Sequence, residues 1–120
     1  MIQKNIDLDA YIYKLLNTLG VTVSFGWYDG QLKDTHITYQ PYNTFTDASD
    51  YANNQCKFIK TLYQVDIWTL DRKVLNDLKG KITKLILDND SCYFNASRYF
   101  FEPDTKIYRY SIKFTIIQMM

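Results

Sequence analysis

His36 is the single imidazole in this chain, so general-base chemistry at neutral pH would have to run through it. A hydrolytic triad would need a hydroxyl nucleophile and an orienting carboxylate around that ring. A thiol mechanism would need one of the two cysteines, Cys56 or Cys92, beside it. No sequence pattern joins these groups. His36 stands on a short alternating run with Thr38, in polar company, where a surface histidine is the expected reading. One histidine and no C-x-x-C pair argue against zinc. Two widely separated cysteines are expected as free thiols, with a disulfide the less favoured alternative.

The acidic and glycine patterns are equally plain. Asp88-Asn89-Asp90 resembles the opening of a calcium loop, but Ser91-Cys92-Tyr93 follow without the required glycine, and the terminal glutamate is missing. A helix-ending turn explains the cluster better. Asp47 and Asp50 sit in a polar stretch and read as solvated. Glu102 and Asp104 flank Pro103, where a tight turn favours these residue types for backbone reasons. Glycines at 20, 26, 30 and 80 form no phosphate cradle. Tyr108-Arg109-Tyr110 and Arg98-Tyr99 have the ring-and-cation content of a nucleic-acid surface. On a strand, however, Arg109 points away from both tyrosines, and a polar outer face is expected. The sequence therefore predicts no catalytic, cofactor-binding or metal-ligating residues, and no enzyme activity.

The elements that would position these groups are easier to read. Two runs alternate strictly. Tyr63, Val65, Ile67 and Thr69 oppose Gln64, Asp66 and Trp68; Tyr108, Tyr110, Ile112, Phe114 and Ile116 oppose Arg109, Ser111, Lys113 and Thr115. A period of two marks strands with one buried face. Between them, residues 72–87 carry Val74, Leu75, Leu78, Ile82, Leu85 and Ile86 at helical spacing, with Asp71 as N-cap and Gly80 as a weak point. Residues 7–19 predict a first helix on Leu8, Ile12, Leu15, Leu16 and Leu19, capped by Asp7 and stopped at Gly20. Residues 21–28 and 36–42 read as strands, the second stopped near Pro41. Residues 43–58 are polar and aperiodic and read as one long loop, a class that is often functional. Residues 91–101 and 106–117 read as a hairpin around Glu102–Thr105. The expected fold class is α+β, with one mainly antiparallel sheet and two main helices packed on one face, in a single domain over residues 1–120.

Bulk properties narrow the function. A net charge of +1 gives no long-range pull on nucleic acid or anionic membrane. No apolar stretch reaches membrane-spanning length, and residues 1–7 lack a signal core, so export is not expected. Eleven Tyr and seven Phe lift the aromatic content to 17%, which suits half-buried strands and protein interfaces. Trp68 falls on the second sheet face, opposite Val65 and Ile67, and Trp27 and Tyr28 sit at a strand end. Either a further element covers that face or another protein meets it.

The order helix, strand pair, polar loop, strand, helix, hairpin resembles the tail terminator, or tail completion, proteins of long-tailed bacteriophages. The strings Tyr63-Gln64-Val65-Asp66-Ile67-Trp68 and Glu102-Pro103-Asp104-Thr105-Lys106-Ile107-Tyr108 carry the resemblance, which spans nearly the whole chain. It implies a structural protein that forms a hexameric ring, caps the tail tube, stops its polymerisation and offers the interface for head attachment. Its implied partners are further copies of itself, the major tail tube protein and head-tail connector proteins, with DNA passing only as cargo and no cofactor. Its implied place is the tail or neck of the virion, assembled in the host cytoplasm. Loop 43–58 and exposed sheet edges are the expected contact regions. A neighbouring connector role in the neck is the alternative, and a small hydrolase or ligand-binding domain using His36 or a cysteine a more distant one.

Overall fold

A computed structural model describes residues 2, 3, 6–28, 30–45, 51, 52, 55, 56 and 58–119. Helix α1 spans Leu8–Asn17. Asp7 caps it by accepting from the backbone N–H groups of Asp9 and Ala10 at 3.0 and 3.3 Å, which satisfies two donors that a first turn leaves open. The chain leaves α1 through Gly20, whose φ of +74° is the left-handed geometry that glycine adopts without a Cβ penalty. Helix α2 spans Arg72–Leu87, with the Asp71 carboxylate on the N–H of Lys73 at 2.9 Å. It runs straight through Gly80, because four core residues, Leu75, Leu78, Ile82 and Ile86, hold its inner stripe and override one poor helix former.

The strands are β1 (Thr22–Phe25), β2 (His36–Phe45), β3 (Tyr51–Ala52), β4 (Gln55–Cys56), β5 (Phe58–Thr69), β6 (Cys92–Glu102) and β7 (Ile107–Met119). Five of them form one sheet in the order β1-β2-β5-β7-β6. β1 runs parallel to β2, and every other pairing is antiparallel. β3 and β4 make a separate small hairpin. The expected α+β class, with the helices against one sheet, is what the structure has. At residues 43–58 the reading needs correction. Asn43–Phe45 belong to β2, and residues 51–56 contain the β3–β4 pairing. β2 passes through Pro41 because β1 ends at the position paired with Tyr39, which leaves one side of β2 free, and a half-free strand tolerates proline. The register slips between Pro41 and Asn43. Residues 46–50, 53, 54 and 57, including Asp47 and Asp50, lie outside the described residues.

Alternation decides which face is buried. Ile37 and Tyr39 of β2, Tyr63, Val65 and Ile67 of β5, and Ile112, Phe114 and Ile116 of β7 all point to the helices. Ile12 and Leu16 of α1 and the stripe of α2 complete one core. α1 lies over the β1–β2 half and α2 over β5, β7 and β6. The Tyr63 hydroxyl donates to Asp9 Oδ1 at 2.6 Å and ties α1 to the central strand. Gln118 Nε2 donates to the carbonyls of Gln3 and Ile6 at 2.8 and 3.0 Å, which fixes the N-terminal segment beside the end of β7. Long strands make the body a rod of 55 × 24 × 24 Å. Its radius of gyration, 15.7 Å, exceeds the ~14 Å of a compact chain of this length.

Candidate interaction surfaces

The groups with catalytic potential do not converge. His36 Nε2 lies 2.7 Å from Ser24 Oγ, and its ring meets Tyr28 edge-on at 4.9 Å. Burial lowers its pKa, which favours the neutral ring. No described carboxylate is hydrogen-bonded to this pair. Cys92 sits on the opposite, helix-bearing face, in the row of Ile116, and burial pushes its thiol up to about 12. A thiol held protonated is a poor nucleophile, and the sheet separates it from His36. The Cys56 side chain lies outside the described residues. Asp88 pairs with Lys84 at 2.8 Å, and Asn89 accepts from the N–H of Ser91 while donating to the Tyr11 hydroxyl. That is the helix-ending turn expected from the sequence. No group of three or more metal-ligating side chains occurs among the described residues.

The helix-free face is where the sheet places its polar chemistry. The registers assemble three adjacent rows across it: His36, Trp68, Arg109 and Phe100; then Ser24, Thr38, Asp66, Ser111 and Arg98; then Gln40, Gln64, Lys113 and Ala96. The β1–β2 connection folds back over one end of this face. Gly26, at φ +99°, turns the chain out of β1, so Trp27 and Tyr28 leave the strand expected for them. Trp27 packs edge-on against Trp68 at 4.8 Å. Trp68 in turn donates to Thr38 Oγ1 at 2.9 Å, which satisfies its buried indole N–H. A loop, rather than a helix, is therefore the cover for this end of the face.

Asp66 is the costly residue. Its side chain is 1% exposed, and Gln64 Nε2 donates to its Oδ2 at 2.9 Å. Its Oδ1 lies 3.6 Å from Arg109 Nε, close enough for Coulomb attraction but too long for a hydrogen bond, so both atoms are left without one. The Arg109 guanidinium is layered against Phe100 at 3.8 Å, Trp27 at 4.8 Å and Trp68 at 5.4 Å. Burial raises the Asp66 pKa, against the opposing pull of Gln64, Arg109, Ser111 and Lys113. A folded-state pKa above the unfolded one gives stability that is complete below the unfolded pKa. That stability is lost as pH rises through the folded value. Asp66→Asn, which cannot ionise, is therefore expected to be more stable than the parent at pH 7, by about 1 kcal/mol. The difference should shrink as pH falls toward 4. Urea unfolding at both pH values checks this; a variant weaker than the parent at pH 7 would show that attraction to Arg109 outweighs desolvation.

A second surface is the β6–β7 hairpin. β6 is an outer strand of 11 residues, and its unpaired side is long enough to accept another strand. Tyr93, Phe94, Tyr99 and Phe101 on it are each exposed by more than a third. Tyr99 and Phe101 gather around Tyr108 of β7 at 6.2 and 4.7 Å. Exposed aromatic rings grouped on a free edge mark a protein-contact surface more than a solvated face. The sequence placed residues 91–101 in a hairpin with the last strand, but did not show that β6 would be the outermost strand.

No protein-family description matches the chain, and no curated protein matches its sequence. Among solved structures, its fold is similar to the sheath/tube terminator of PVC, an extracellular contractile injection system, seen in the extended state by cryo-electron microscopy. The TM-score is 0.62 at 11% sequence identity, over 100% of this chain and 58% of the terminator. The chain thus spans little more than half of that protein's length and shares its fold through that part. The likeness agrees with the terminator-type layout expected from the order of elements. No helix among the described residues is long and apolar enough to cross a membrane.

Proposed function

We propose that this chain is a structural terminator of a tail-like tube. It seats on the open end of the assembled tube, stops further subunit addition and presents a platform for the next component. The observation that carries this reading is the similarity of its whole length to the fold of a sheath/tube terminator. The free aromatic edge of β6 supports it, since such a protein works through protein contacts alone. In a phage the next component is the head connector, and the protein is part of the virion tail or neck. The copies close into a ring, a hexamer in the family the sequence resembles, with DNA passing through its lumen. Ring closure requires two unlike surfaces on each protomer. The sheet has two unlike edges, four residues of β1 and eleven of β6. No bond is made or broken, so no cofactor is needed.

The test is tube growth. Tail-tube protein from the same particle is polymerised with and without this chain, and lengths are read by negative-stain electron microscopy. Capping should give short tubes bearing extra density at one end. The double variant Tyr99→Glu/Phe101→Lys should lose no more than about 2 kcal/mol of stability, because both side chains are nearly half exposed and what they give up is their ring contacts with Tyr108. It should cap at least tenfold less well, the effect expected of aromatic anchors. Tubes of unchanged length in the presence of the parent protein would end the reading, and capture on filled heads would move the chain to the neck.

A further inference from the structure

The helix-free face holds an open cavity of about 330 Å³ between β5, β7 and β6, lined by Gln64, Ala96, Ser97, Arg98, Phe100, Arg109, Ser111 and Lys113. Three of these are cations, set on three neighbouring rows of the sheet. The ion pairs among the described residues are Lys81–Asp77, Lys84–Asp88 and Arg109–Asp66, so neither Arg98 nor Lys113 forms an ion pair with a described carboxylate. Among the described residues Asp66 offers the counter-charge, and it sits buried beside Ser111 with its Oδ1 beyond hydrogen-bond reach of Arg109 Nε. All three cations rest on rings. Arg98 and Arg109 lie over Phe100 at 4.8 and 3.8 Å, and Lys113 over Tyr42 at 5.3 Å. Stacking holds the heads in place and lowers the ordering cost of binding an anion.

From this geometry we infer that the cavity is a receptor for an acidic side chain presented by a partner protein. Two guanidinium groups can grip one carboxylate in the planar, paired manner that arginine favours, with Lys113 as a point charge beside them. Ser111 and Gln64 add neutral polar groups to the cavity lining. The volume accommodates a glutamate side chain with part of its backbone. A nucleic-acid backbone fits less well, because tracking phosphates requires a basic stripe and this chain carries a net charge of only +1. Arginines flanked by Trp and Phe are the composition of a protein-binding hot spot. This inference does not depend on the terminator reading, and each can fail without the other.

The experiment titrates the full chain with the peptide acetyl-Gly-Glu-Glu-Gly-amide and, separately, with inorganic phosphate. Trp27 and Trp68 border Arg109, so tryptophan fluorescence reports occupancy, as does the chemical shift of the Arg109 Nε–H. A saturable response to the peptide is expected, weakened at least fivefold in Arg98→Gln and in Lys113→Gln and unchanged in Lys79→Gln, which alters a cation on α2. Both test positions are exposed, so the variants should fold. The inference is overturned by a response that never saturates, by equal affinity in Arg98→Gln and Lys113→Gln, or by phosphate binding more tightly than the peptide.

Discussion

Arg109→Ala is expected to cost about 3 kcal/mol of folding stability, far more than a half-exposed surface arginine ordinarily would. Two losses combine. The guanidinium is stacked against Phe100 and faces Trp27 and Trp68, and each such contact contributes on the order of 0.5–1 kcal/mol. The larger loss falls on Asp66, whose buried carboxylate would keep Gln64 but lose its nearest cation. A buried charge without its partner is among the few single changes that cost several kcal/mol. Lysine at 109 should recover only part of the loss, since an ammonium does not stack as a planar fork does. In the background of Asp66→Asn the same arginine truncation should cost at least 1 kcal/mol less, because the orphaned charge is gone. Urea denaturation of the four proteins in this cycle measures the coupling. Additive behaviour would mean that the 3.6 Å contact contributes nothing and that Arg109 acts through packing alone.

Ile67→Ala should be comparably severe, at about 3–4 kcal/mol. Ile67 is fully buried near the C-terminal end of β5, the central strand, paired with Ile37 on one side and Tyr110 on the other. Strands on both sides and α2 above leave the backbone little freedom to collapse into the space. Removal therefore costs both the transfer of the lost methyl groups and the cavity left behind. Leu70→Ala, three positions on, provides the contrast. That leucine is 50% exposed just beyond the strand end, and its truncation should stay within about 0.5 kcal/mol. Thermal or urea unfolding of the pair distinguishes a core truncation from a general intolerance of β5. A loss below 1 kcal/mol at Ile67 would contradict the burial described here.

These two residues also show what was legible along the chain. Ile67 belongs to a strict alternation, and its inward direction followed from the period of two alone. α2 was legible in the same way, down to its cap, because its apolar spacing and Asp71 are local features. Arg109 was assigned to a polar outer face, and it does point away from the helices. That it stacks on three rings and faces a buried aspartate was not readable, since Trp27, Phe100 and Asp66 come from three distant segments. A signal was nonetheless present. Gln64, Asp66 and Trp68 share one face of the central strand, where a charge beside a large ring calls for a partner from elsewhere in the chain. The long polar run from residue 43 misled at its start, because its first residues pair with β5 through cross-strand contacts that local composition does not encode.

Local sequence determined the elements, their caps and their inward faces, because periodicity and capping act over a few residues. It also determined that the candidate catalytic residues stood in no recognised pattern. Only the tertiary structure decided that β6 is the outer strand and that His36 and Cys92 lie on opposite faces. It alone set the β1–β2 loop over the second face, and three cations around one cavity. Strand order and register join residues far apart in the chain, and their energies come from contacts that do not exist until the sheet has closed.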